Sequence, residues 1–211
     1  HTFGKVQTNL LVEGFYTILD DVFALRDMDD AADGGKVKER YNGSGATVRG
    51  FNVEGRAAFT RWFELQAGVT LQQSRYKEPE FWSEDAEVPP VRRMFRTPDA
   101  YGYFTASFKP VRNFTADLSG TCTGSMLVQH MAGSGVAQDV AVSTPSFFDM
   151  NIRLSYDVRI YKEITMQLYS GVQNLFNAYQ KDFDKGVDRD SGYIYGPSLP
   201  RSLLVGAKFS F

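Results

Sequence analysis

From Ser202 to Phe211 the chain alternates without a break. Leu203, Val205, Ala207, Phe209 and Phe211 fall on one side, and Ser202, Leu204, Gly206, Lys208 and Ser210 on the other. A period of two belongs to a β-strand, whose successive side chains point to opposite faces. The pattern recurs in 113–128, where Phe114, Ala116, Leu118, Gly120, Cys122, Gly124, Met126 and Val128 oppose Thr115, Asp117, Ser119, Thr121, Thr123 and Ser125. In all, alternation predicts eight strands, over 6–19, 47–59, 64–76, 100–109, 113–128, 147–158, 164–174 and 202–211. No stretch approaches eighteen apolar residues, so a transmembrane helix is excluded.

Alternation alone also suits a soluble sandwich or a lipocalin-like barrel, each with a dry and a wet face per strand. The connections discriminate. They run long, short, long, short, long, short, long: loops over 20–45, 77–98, 129–146 and 175–199, and turns over 60–63, 110–112 and 161–163. Prolines 79, 89, 90 and 98 argue against any regular strand in the second loop. Outer-membrane barrels have short periplasmic turns and longer extracellular loops. Most of these strands also reach the nine to eleven residues or so that a tilted strand needs to cross a bilayer. The apolar faces carry almost no charge, whereas Glu13, Glu54, Arg56, Asp117, Asp149, Arg153 and Lys208 lie opposite. A hydrated lumen tolerates those charges; a soluble core would have to pair each one. The expectation is an all-β fold, an antiparallel transmembrane β-barrel segment of about eight strands.

Composition narrows the function. A net charge of −2 argues against nucleic acid as a partner. Cys122 is alone, so no internal disulfide forms, and in its strand it reads as a small apolar residue. Two histidines make no metal constellation, and no metal or cofactor is expected. The chain begins at His1, which reads as processed, truncated or part of something longer. A membrane hydrolase would need an activated nucleophile or water, usually through a histidine with an acidic partner. His130 is the one internal histidine and has no partner at a telling spacing, so the chain is not expected to be an enzyme.

Candidate ligand contacts lie in the loops. Trp82, Arg92, Arg93 and Arg96 could clamp an anionic ligand. Alternatively, Glu78, Glu80, Glu84, Asp85 and Glu87 pair with those arginines. His130 stands in the loop over 129–146, where solvation is the plain reading and ligand contact the sharper one. Tyr193 and Tyr195 complete the candidates. Asp182, Asp184, Asp188 and Asp190 are interrupted by Lys181, Lys185 and Arg189, which suggests solvated charge rather than a metal site. The acidic loop over 20–45 reads as solvated, with calcium binding a weaker alternative because the spacing of a known calcium loop is missing.

Two stretches carry a family resemblance. Val172-Gln-Asn-Leu-Phe-Asn177, Tyr195-Gly-Pro197, Pro200-Arg201 and Lys208-Phe-Ser-Phe211 resemble the carboxy-terminal end of TonB-dependent outer-membrane receptors. Glu13 to Leu25 resembles the Bacteroidetes-type members, where a Phe-Tyr-Thr strand leads into an external loop. The resemblance implies that residues 1–211 form the last third of a 22-stranded barrel, without its plug, its TonB-binding segment and its earlier strands. It implies an outer-membrane location and TonB-driven uptake of a scarce nutrient of the iron-siderophore, haem or cobalamin class. Outer-membrane lipid, TonB and the barrel assembly machinery are the implied partners, with Phe211 as the assembly signal. The alternative is a complete eight-stranded barrel with a structural or adhesion role.

Overall fold

The computed structural model describes residues 2–4, 6–27 and 38–211. Eight long strands form one antiparallel meander: Val6–Leu19, Ala46–Thr60, Phe63–Glu80, Ala100–Val111, Phe114–Thr123, Phe147–Tyr161, Ile164–Gln173 and Ser202–Ser210. They are called the first to eighth wall strands below. Each pairs with the next in sequence, and the first and eighth do not pair with each other, so the sheet is open. Two short strands join it: Thr2–Phe3 on the first wall strand and Val91–Arg93 on the third.

Register explains why one face is apolar. Leu118 lies opposite Ala106 on one side and Ile152 on the other; Ile152 lies opposite Val172, and Val172 opposite Leu203. Val12, Val53 and Val69 form a corresponding row across the first three strands. The other face is hydrogen-bonded. Asn52 donates to Glu13 and accepts from Thr70, Ser107 donates to Asp117, and Tyr103 donates to Glu54. Arg153 lies 4.5 Å from the centre of the Tyr169 ring and donates to Gln167, which donates to Asp157.

Among the described residues, the wall is a single layer with no helix or second sheet packed on its face. It therefore leaves large apolar side chains bare: Leu10 is 71% exposed, Leu203 81% and Val205 85%. The chain exposes 14397 Å², against about 9,800 Å² for a compact folded monomer of this mass. The buried apolar cluster, Val128, Tyr193 and Tyr195 backed by Met126, Val142 and Phe147, lies under the long connections and touches the wall through Phe147, at the start of the sixth strand.

Several boundaries differ from expectation. The turns are tighter, at Arg61-Trp62, Arg112-Asn113 and Lys162-Glu163; Pro110 belongs to the fourth strand rather than to the turn. The third strand runs on through Pro79 to Glu80, and Val91–Arg93 pairs with it, so the loop over 77–98 is not free of regular strand. Pro79 is tolerated because the second strand's pairing stops at Tyr76 and the fourth strand's at Leu71, while the pairing with Val91–Arg93 skips it in a bulge between Arg75 and Glu80. The fifth strand stops at Thr123, not at Val128. Leu127–His130 instead pairs with Val140–Ser143 as a separate hairpin inside the expected loop. The 20–45 connection likewise holds a hairpin, Phe23–Asp27 with Lys38–Asn42. The calcium alternative rests partly on residues 28–37, which lie outside the described residues.

Candidate functional site

The four long connections share one end of the sheet, and two of them lock together there. At Gly124 the chain leaves the wall, its amide bonding the Ala100 carbonyl. Met126 and Thr144 then exchange bonds, Met126 N to Thr144 Oγ1 at 3.1 Å and Thr144 N to Met126 O at 2.9 Å. These clasp the base of the hairpin and turn Val128 inward onto Tyr193 and Tyr195. The 174–201 loop is tied off by its own first residue. Asn174 takes the left-handed φ of 48°, which asparagine tolerates better than most residues. Its buried amide donates to the carbonyls of Ala178 and Leu199 and accepts from the Ala178 amide. Asn177, also left-handed at 52°, accepts from the Arg201 amide. The two asparagines of the Asn-Leu-Phe-Asn stretch therefore close both ends of the last loop.

A polar network fixes the loop to the hairpin. His130 is buried; its ring stacks on Tyr193 at 3.7 Å between centres, and Nε2 lies 3.0 Å from both Asp184 oxygens. Asp184 also accepts from the Asp190 amide, and Asp190 accepts from the amides of Met131 and Gly192. Asp182 accepts both tyrosine hydroxyls, from Tyr193 at 2.7 Å and Tyr195 at 2.6 Å. Gln180 donates to the Tyr193 carbonyl and accepts from the Tyr195 amide. The bond from His130, with the Asp190 amide, outweighs burial and holds the Asp184 carboxyl below its ordinary range. Burial alone would raise Asp182, but the two hydroxyls bring it below its ordinary value as well. Burial, then Asp182, pushes Tyr195 up to about 12 and Tyr193 higher still, so both remain hydrogen-bond donors at neutral pH.

Among the sequence candidates, Arg96, His130, Tyr193 and Tyr195 come together. Arg96 donates to the carbonyls of Ile194 and Gly192, joining the 81–99 loop to the last one. Arg93 donates to Ser125 O and pairs with Asp99 at 3.0 Å. Arg92 is exposed and pairs with Glu78 at 3.6 Å. The three guanidinium groups thus do not converge; of the acidic residues proposed as their partners, Glu78 is met by Arg92, while Glu80 accepts from the Tyr41 hydroxyl. Trp82 stands apart, half-buried, edge-on to Phe95 at 5.3 Å in a pocket with Val22 and Tyr76. Phe211 is 94% exposed at the short-turn end. Two expectations are corrected. His130 is not a solvated loop residue, because it ends a strand and is covered by Tyr193. Asp182, Asp184 and Asp190 are not merely solvated charge, because each accepts hydrogen bonds that hold the loop. Sequence reading overlooked Gln180 and Asp184 as anchors; Gln180 meets Tyr193 and Tyr195, 13 and 15 residues on, and Asp184 meets His130, 54 residues back, beyond any local pattern. Among the described residues, no group of three or more His, Cys, Asp or Glu is placed to hold a metal ion.

No family model matches the sequence, and no curated protein matches it. Solved structures do. The ferric-catecholate import receptor Fiu from E. coli K12 superposes with a TM-score of 0.62 at 19% identity over 95% of this chain. The copper transporter OprC gives 0.65 at 13% identity over 100%. The ferric enterobactin receptor PfeA from Pseudomonas aeruginosa, in a G324V mutant form, gives 0.59 at 14% identity over 96%. All three are TonB-dependent receptors, and this chain spans 25% to 30% of their lengths. At such identities the likeness is one of fold: the sheet has the architecture of a portion of a TonB-dependent receptor barrel.

Proposed function

We propose that this chain supplies wall and extracellular loops to a 22-stranded outer-membrane receptor, of which residues 1–211 form the carboxy-terminal part. In this reading the receptor imports a scarce iron chelate of the siderophore class, driven through TonB, and performs no catalysis. One observation carries it. The apolar face runs across all eight strands without a charged side chain through its middle rows, while the opposite face is polar and hydrogen-bonded. A lipid contact on one side and a hydrated lumen on the other account for both.

The loop residues divide by role. Tyr193, Tyr195, His130 and Arg96 shape the loop face, while Trp82, Arg92 and Arg93 are the proposed ligand side, Arg92 exposed and the other two half-buried. Phe211, free at the short-turn end, is the proposed assembly signal. The test is uptake of radiolabelled ferric catecholate by cells carrying the full-length gene, with deletion strains for the gene and for TonB. Both deletions should abolish the gene-dependent uptake, with copper uptake unchanged. Removal of Phe211 should lower the assembled amount but not the affinity. Uptake that survives both deletions, or loss of copper uptake alone, would overturn the iron-chelate reading; full assembly without Phe211 would remove its role.

A further inference from the structure

We propose that the outer side of the first three wall strands is a binding site for a phosphate-bearing anionic lipid of the outer leaflet, a reading that rests on the membrane-barrel function above. Four register rows cross these strands toward the long-loop end. Val12, Val53 and Val69 form the first. Gly14, Phe51 and Leu71 form the next, Tyr16, Arg49 and Gln73 the third, and Ile18, Thr47 and Arg75 the last. The face thus changes within two rows from wholly apolar to cationic.

The second row is notched. A Cβ added at Gly14 would meet nothing within 4 Å, and Phe51 and Leu71 are more than half exposed beside it. A groove lined by Gly14, Tyr16, Phe51 and Leu71 runs directly beneath Arg49 and Gln73. Gln73 accepts from Arg49 Nη2 at 2.8 Å and so orients the guanidinium without neutralising it. Arg75 is exposed and one row higher. The nearby carboxylates Asp20 and Glu78 are engaged by Lys77 and Arg92. An exposed arginine pair above an apolar notch complements one molecule with both features: acyl chain in the groove, phosphate on Arg49 and Arg75. A free phosphate would use only the upper half.

Native mass spectrometry of the detergent-purified full-length protein tests this, with diphosphoryl lipid A, phosphatidylethanolamine and inorganic phosphate as probes. Lipid A should be retained in preference to phosphatidylethanolamine, and inorganic phosphate should not displace it. Arg49→Ala with Arg75→Ala should weaken retention about tenfold or more, the loss expected for a hydrogen bond to a charged group. Gly14→Leu, which fills the notch without backbone strain, should weaken it independently. Equal retention of both lipids, displacement by inorganic phosphate, or retention unchanged in either variant would overturn the site. Failure of the barrel reading looks different: the protein would not insert into lipid vesicles at all.

Discussion

Leu118 and Thr121 share a strand but not a face, and the difference is large enough to measure. Leu118 sits between Ala106 and Ile152 in the charge-free belt. Thr121 is exposed on the other face, opposite Asp149 and Tyr103. An arginine at mid-bilayer on the lipid side costs roughly 2–4 kcal/mol, whereas an exposed polar site usually changes by no more than about 0.5 kcal/mol. Leu118→Arg should therefore lower the urea midpoint of refolding into vesicles markedly, and Thr121→Arg barely. Equal shifts would place Leu118 in water or in a protein core. This two-face arrangement was legible in the sequence because a period of two needs only neighbouring residues. His130 was not, because what buries it is a tyrosine and an aspartate from another connection.

The hairpin Leu127–His130 with Val140–Ser143 and the last loop form one unit, and its acid sensitivity follows from Asp182 and Asp184. Both carboxyls are held below their ordinary range in the folded loop. A depressed folded pKa contributes stability above the unfolded value, near 4, and that contribution is lost as pH falls through the folded value. Amide exchange at Val128, Tyr193 and Tyr195, corrected for intrinsic rates, should show constant protection from neutral pH to about 4 and a decline below. Asp182→Asn with Asp184→Asn should remove the acid step. A step above pH 5, or one that persists in the double variant, would show that other groups control the loop. Strand ends were the less legible part at this scale. Alternation continues through Gly124 to Val128, yet the chain leaves the wall after Thr123, because Met126 and Thr144 clasp the hairpin and Val128 finds an apolar cluster there. Burial against a distant loop outweighed local pattern.

For the molecule as a whole, the open sheet is the decisive property. Closed alone, an eight-stranded barrel has an interior just wide enough to be filled by side chains. The inner face here would bring Glu13, Glu54, Arg56, Asp117, Asp149, Arg153 and Lys208 into that space. In the meander, Glu13 and Asp117 are satisfied by neutral donors on adjacent strands, Glu54 by Tyr103 reaching over Gly68 of the strand between them, and Arg56 pairs with Glu64 at 2.5 Å on an exposed rim. None of these bonds reaches across a lumen, as a narrow interior would require for its charges. Among the described residues the outer edge of the first strand pairs in sequence only with Thr2–Phe3, at Val6 and Gln7, and that of the eighth with no strand, and a stable sheet covers such edges with further strands. Cysteine cross-linking in the full-length protein, with Cys122 replaced by serine, checks this directly. Leu168 and Ala207 are register partners, within the separation of about 4.4–6.8 Å between Cα atoms that a disulfide spans. Leu168→Cys with Ala207→Cys should therefore oxidise to a disulfide. Val12→Cys with Val205→Cys, on the two edge strands, should remain reduced, since other strands would stand between them. A disulfide in the second pair would show the eight strands closing on themselves and would favour the small structural or adhesion barrel over the receptor wall.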